Sequence, residues 1–129
     1  MLEKKPSILL VDDDAGGIET LTDILTEKGF RVTVACDGYT AISRIEEEVF
    51  DVILMDIKMP GISGVETFKC MKQFRPFSKV IFMTAYSSEE IIREAREAGA
   101  SDVIQKPIDF KNLDRLLFST CIRSAWTSF

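Results

Sequence analysis

Five short apolar runs set the strongest limit on what this chain can fold into: Ile8-Leu9-Leu10-Val11, Val32-Thr33-Val34-Ala35, Val52-Ile53-Leu54-Met55, Val80-Ile81-Phe82-Met83 and Val103-Ile104. A strand wetted on one face alternates apolar with polar residues. A strand covered on both faces has no need to, and most of these runs are continuous. Between them, apolar residues recur at helical spacing. Ile18, Leu21 and Leu25 predict a first helix, and Ala41, Ile42, Ile45 and Val49 a second with an acidic outer face. Val65, Phe68 and Met71 mark a third, Ile91, Ile92, Ala95 and Ala98 a fourth, and Leu113, Leu116 and Leu117 begin a fifth. Gly29 and Gly99 are placed to end the first and fourth by a left-handed cap. Strand and helix therefore alternate five times, which predicts a parallel sheet covered on both faces. Right-handed crossovers make this a three-layer, doubly wound α/β domain.

The 129 residues suit one domain over 1–129. Its core is expected over about 6–120, with 121–129 extending the last helix or starting a truncated linker. Trp126 and Phe129 make that tail unusually apolar. No run approaches the roughly 18 apolar residues of a membrane span. Met-Leu-Glu-Lys-Lys-Pro lacks the pattern of a secretory signal, so a cytoplasmic location is expected. The net charge is -5, and the run Glu46-Glu47-Glu48 is read as a solvated helix face. A nucleic-acid binder shows a basic patch, so direct DNA binding by this chain is not expected. Cys36, Cys70 and Cys121 fit neither a zinc spacing nor a disulfide framework and are read, like the methionines, as buried or inert. There is no histidine, which excludes Ser-His-Asp and Cys-His catalysis and histidine metal sites.

The chemistry must lie where the strands end. The first run is followed by Asp12, Asp13 and Asp14, the third by Asp56, the fourth by Thr84, and the fifth by Lys106 and Pro107. In a parallel sheet these ends share one edge, where ligands bind. Clustered carboxylates repel unless a cation enters, and an all-oxygen donor set favours Mg²⁺. Lys106 adds a second positive charge and Thr84 a hydroxyl. Such a set suits stabilisation of a phosphoryl group in transfer. Asp56 is the best nucleophile, because a carboxylate can form an acyl phosphate and Pro60-Gly61 keeps the approach open. Taken singly, each residue has an ordinary reading. The three acids could be a helix-capping turn, Asp56 a turn residue, Lys106-Pro107 a loop exit, and Thr84 a hydroxyl bonding its own backbone. Their coincidence argues for a site.

Four blocks carry a resemblance: Ile-Leu-Leu-Val-Asp-Asp-Asp, Asp-Val-Ile-Leu-Met-Asp-Ile-Lys-Met-Pro-Gly, Phe-Met-Thr-Ala-Tyr and Gly-Ala-Ser-Asp-Val-Ile-Gln-Lys-Pro. In this order and spacing, over about the first 120 residues, they resemble the receiver domains of two-component response regulators. The resemblance implies a flavodoxin-like sheet of order 2-1-3-4-5 and Asp56 as phosphoacceptor. It implies a Mg²⁺ shell of Asp13 directly, Asp12 mostly through water, Asp56, and the backbone carbonyl of Lys58. It gives Lys106 to the phosphoryl oxygens and Thr84 to the switching hydrogen bond, with help from the amides after Asp56 and Thr84. Asp14 has no implied role and is read as a helix N-terminal residue.

The implied partners are a histidine kinase or phosphotransfer protein and an output domain or partner protein. A homodimer through the fourth helix, fifth strand and fifth helix is a further expectation, using Ile92, Val103 and the apolar end of the last helix. The implied function is signalling, with self-phosphorylation and self-dephosphorylation chemistry rather than turnover as an enzyme. Met-Thr-Ala-Tyr and Lys-Pro-Ile-Asp resemble receivers of transcriptional activators. One departure stands out: many receivers carry Tyr or Phe three residues before the lysine, where this chain has Val103. Lys58 and Tyr86, each two residues beyond a site residue, flank the path of water in the family. Tyr86 is expected to shield the acyl phosphate. Two competing classes fit less well. A haloacid dehalogenase-type phosphatase needs a different sequence after its aspartate and a cap domain. A flavin carrier needs a hydroxyl- and glycine-rich phosphate loop where Asp12 to Asp14 stand.

Overall fold

The computed structural model describes residues 5–86 and 88–126, with side chains to residue 120. Strands β1 (Ser7–Val11), β2 (Arg31–Ala35), β3 (Val52–Asp56), β4 (Val80–Thr84) and β5 (Asp102–Gln105) alternate with helices α1 (Ala15–Glu27), α2 (Gly38–Glu47), α3 (Gly64–Phe74), α4 (Glu89–Glu97) and α5 (Phe110–Trp126). All strand pairs are parallel, in the order β2-β1-β3-β4-β5, as the resemblance implied.

The continuous runs have the expected cause. Leu9, Val11, Ile53, Met55, Val80 and Phe82 point to one face of the sheet and pack with Ala41, Ile45, Val65, Phe68, Met71 and Ala95 from α2, α3 and α4. Their neighbours Ile8, Leu10, Val52, Leu54, Ile81 and Met83 point to the other face, against Leu21 and Leu25 of α1 and Leu113 and Leu117 of α5. Each such side chain gains about 1.5–3 kcal/mol on leaving water, so both faces are specified independently. Phe68 and Phe82 meet edge to face with centroids 5.8 Å apart, joining α3 to the centre of the sheet.

The helix ends follow local chemistry. Gly29 and Gly99 take the positive φ of a C-terminal cap, at 99° and 103°. Asp37 caps α2 by accepting from Thr40 N at 2.7 Å, and that bond holds its carboxyl below the usual carboxylate range. Ser63 and Glu66 form a reciprocal capping box at α3. Asp14 is the N-cap of α1 but makes no capping hydrogen bond with its side chain.

Three expectations are corrected. Val49 is not part of the second helix: α2 ends at Glu47, and Val49 is exposed. Cys36 is exposed at the end of β2, and Cys70 is half-buried on α3. A cysteine beyond a strand end cannot reach the layer between sheet and helices. The side chains of Cys121 and Trp126, and all of Phe129, lie outside what is described.

Candidate functional site

Parallel pairing brings the C-terminal ends of β1, β3, β4 and β5 to one edge. Between β1 and β3 the strand order reverses, which opens a crevice there. Asp12 and Asp13 leave β1 at this point, and Asp56 closes β3 beside them. Asp12 is 1% exposed and Asp56 9%, while Asp13 faces solvent. One oxygen from each of the three carboxylates lies within 4.8 Å of the others.

Lys106 enters from just beyond β5. Its Nζ donates to Asp12 Oδ2 at 2.9 Å and to Asp56 Oδ2 at 3.0 Å. The remaining oxygens of both acids meet backbone: Asp12 Oδ1 accepts from Asp14 N at 3.1 Å and Asp56 Oδ1 from Lys58 N at 3.2 Å. Burial raises the Asp56 carboxyl above its ordinary value, and the Asp12 charge adds to this against the pull of Lys106. For Lys106, burial alone would lower the ammonium, but its bonds to Asp12 and Asp56 outweigh that and raise it. The lysine thus offsets part of the acidic charge and leaves the group hungry for a further cation. Three oxygen donors of which one is solvent-facing suit Mg²⁺, which keeps several of its waters.

Thr84 stands at the end of β4, fully buried. Its hydroxyl oxygen accepts from Tyr86 N at 3.0 Å, so in this conformation the side chain is bonded to its own loop. The site therefore brings Asp12, Asp13, Asp56 and Lys106 together, with Thr84 on the neighbouring strand end and turned to its own chain. The amides after Asp56 divide. Ile57 N continues the ladder to Met83 O at 3.0 Å, and only Lys58 N faces the carboxylate. A parallel ladder claims every second amide, which leaves the next one for the site.

Two features were missed by reading the sequence. A Cβ on Gly64 would strike the carbonyl oxygen of Asp56 and the Cα of Ile57, so the first residue of α3 supports the back of the acidic strand end. A glycine at the first position of a helix, where it has no propensity advantage, was the available signal. Across the mouth, Lys58 Nζ lies 4.8 Å from the ring centroid of Tyr86. Val103, partly buried, pairs with Phe82 in the sheet and packs against the core. An apolar cavity of about 320 Å³ lies at the opposite edge of the sheet, between Ile45, Phe50, Ile53, Phe74 and Phe77, far from this chemistry.

Comparison with known proteins agrees with this geometry. The model of the response regulator receiver domain matches residues 8–118. The transcriptional regulatory protein ZraR of Klebsiella oxytoca is 41% identical over 117 residues, which cover 91% of this chain and 26% of that protein. The chain thus spans about a quarter of that relative's length. Sporulation initiation phosphotransferase F of Bacillus subtilis (strain 168) is 35% identical over 106 residues, covering 82% of this chain and 86% of that one. Among solved structures, a CheY-like receiver domain protein from Methanospirillum hungatei JF-1 superposes with a TM-score of 0.90 at 30% identity, covering 96% of this chain and 99% of the other. Fold, strand-end chemistry and sequence relatives converge: the chain belongs to the response regulator receiver domain family of two-component signalling.

Proposed function

We propose that the chain takes a phosphoryl group from a partner histidine kinase, or from a phosphotransfer protein, onto Asp56. The observation that carries this reading is the pair of hydrogen bonds that Lys106 donates to Asp12 and Asp56, with Asp13 alongside. It sets a nucleophilic carboxylate, a fixed cation and a metal-competent acidic pair at one open strand edge. An oxygen of Asp56 attacks phosphorus, the phosphorus–nitrogen bond of the donor breaks, and its electron pair stays on the imidazole. Asp56 thereby becomes an acyl phosphate. These 129 residues hold no histidine, so a phosphohistidine donor lies outside them.

Asp12, Asp13, Asp56 and the Lys58 carbonyl are the groups that would hold Mg²⁺. When bound there, Mg²⁺ neutralises charge on the carboxylates and the phosphoryl oxygens. Lys106 exchanges one carboxylate contact for a phosphoryl oxygen, and the Lys58 amide supplies a backbone donor. Thr84 turns its hydroxyl toward the new group. The added charge then biases the face formed by α4, β5 and α5, which controls an output domain or partner protein and offers a homodimer surface through Ile92 and Val103. A beryllofluoride-treated protein that stayed monomeric at high concentration in the ultracentrifuge would remove the dimer. This reading takes 1–129 as one receiver unit in the cytoplasm, with no nucleic-acid contact of its own. Among the described residues, no helix is long and apolar enough to cross a membrane.

The test is intact mass after incubation with acetyl phosphate, with and without Mg²⁺, for the wild type and Asp56→Asn. One phosphoryl group gained only by the wild type and only with Mg²⁺ is the expected result. No gain by a folded wild-type protein refutes the reading. Tyr86 is the bulkiest group beside the path of water, so Tyr86→Ala should lose the phosphoryl group faster; equal rates would remove that role.

A further inference from the structure

Tyr86 is held at two points, and both belong to the acidic pocket. Its backbone N–H donates to Thr84 Oγ1 at 3.0 Å. Its ring, half-exposed, lies under the Lys58 ammonium at 4.8 Å. Lys58 is also anchored to the pocket, because its amide donates to Asp56 Oδ1. A phosphoryl group on Asp56 offers the ammonium a better partner, since an exposed cation–π contact is weak beside a charge-assisted bond to phosphate oxygen. The same group draws the Thr84 hydroxyl, and turning that oxygen inward takes it away from Tyr86 N.

We infer that Tyr86 is the residue through which this chain senses the charge state of Asp56. Unphosphorylated, it is tied down by Thr84 and Lys58; phosphorylated, both ties are claimed by the phosphoryl group and the loop entering α4 is released. This rests on the reading of Asp56 as phosphoacceptor. The rest of the molecule fits the role. Val103 carries no ring and packs against the core from β5, so it has nothing to swing inward. The element that Tyr86 leads into is lightly held. Ser88 makes no capping bond with its side chain, and Ala95 is the one buried residue within α4. Freeing one loop residue is enough to let such a helix shift.

Nuclear magnetic resonance tests this on the whole chain, using beryllofluoride with Mg²⁺ as a stable stand-in for the phosphoryl group and the fluorine spectrum to report its binding. In the free protein the Lys58 ε-methylene protons should be shifted upfield by the Tyr86 ring. Tyr86→Phe should keep that shift and Tyr86→Leu should lose it. Loading with beryllofluoride should abolish it in the wild type and move the Ile91 and Ile92 amides. In Tyr86→Leu those two amides should already lie part-way to their loaded positions before any ligand is added. Bound fluoride with the Lys58 protons still upfield overturns the inference and leaves the phosphoacceptor reading intact. So does a Tyr86→Leu spectrum with Ile91 and Ile92 at their wild-type free positions. No bound fluoride overturns the phosphoacceptor reading, and this inference with it.

Discussion

The two loops that frame the acidic pocket are built to different standards. Between β3 and α3, nearly every group is claimed. Gly64 presses on the Asp56 carbonyl, Ser63 and Glu66 cap the helix reciprocally, and Thr67 Oγ1, fully buried, donates to Ser63 O at 2.7 Å. Gly64, Val65, Thr67, Phe68 and Met71 are all buried in α3. Between β4 and α4, the hydroxyl of Ser88 caps nothing, and α4 buries only Ala95. The contrast divides the labour. The carboxylate to be modified sits on a fixed platform, and the segment that must respond is drawn from the weakly held part of the fold.

The largest test of that contrast is Gly64→Ala. A Cβ there meets backbone rather than a yielding side chain, so the cost should be about 3 kcal/mol, a fall in Tm on the order of 10 °C. Glu90→Ala, in the first turn of α4, should stay within about 0.5 kcal/mol. Thermal melts of the two variants side by side would collapse the distinction if they fell equally. Next in size is the metal. Mg²⁺ at roughly a hundred times its dissociation constant should stabilise the wild type by about 2.7 kcal/mol. Asp13→Asn should need a higher concentration for the same gain. A melt indifferent to Mg²⁺ would mean that the fixed side of the pocket holds no ion.

Smaller still are the caps. Ser63→Ala removes a bonded cap and should cost about 1 kcal/mol, whereas Ser88→Ala removes none and should cost only a few tenths. Urea midpoints would resolve the pair, and equal losses would mean that Ser88 caps α4 in solution after all. The smallest effect is one of charge. Asp56 is raised above 3.8 by burial, so the folded chain holds that proton longer than the unfolded one. The contribution of Asp56 to stability is then fullest below the carboxylate range and declines as pH rises through its folded value. Asp56→Asn cannot ionise and should lack that decline, giving a higher midpoint than wild type near neutrality without divalent metal. Lys106 has the same sign at the alkaline end. Raised above 10.5, it contributes until pH climbs through its folded value, and that contribution disappears in strong alkali. An Asp56→Asn midpoint that declined with rising pH as steeply as the wild type's would contradict the Asp56 assignment.

How much of this the sequence shows depends on the range of the interaction. Leu9 and Leu10 announce a strand buried on both faces because burial is read residue by residue. Asp12, Asp56 and Lys106 declare themselves because parallel topology sends every strand end to one edge. Val49 misleads, since it keeps helical spacing after the helix has ended. Cys36 misleads because cysteine is usually buried, and a strand end is the exception. Gly64, the Tyr86–Lys58 contact and the Thr84 hydroxyl bonded to the Tyr86 amide depend on how the loops lie, and no periodicity records that.

The ion pair between Lys106 and Asp12 spans 94 residues, almost the whole length of the domain. During synthesis the N-terminal part of the chain emerges first. Asp12, Asp13 and Asp56 are therefore outside the ribosome well before Lys106, the one lysine among the described residues whose ammonium bonds to this cluster. Until that last strand docks, the half-made sheet carries its acids without their counter-charge. The same lysine that later serves the site is thus also the clasp that completes the nascent fold. Chains stalled or truncated before Lys106 should be the ones that quality-control proteases recognise.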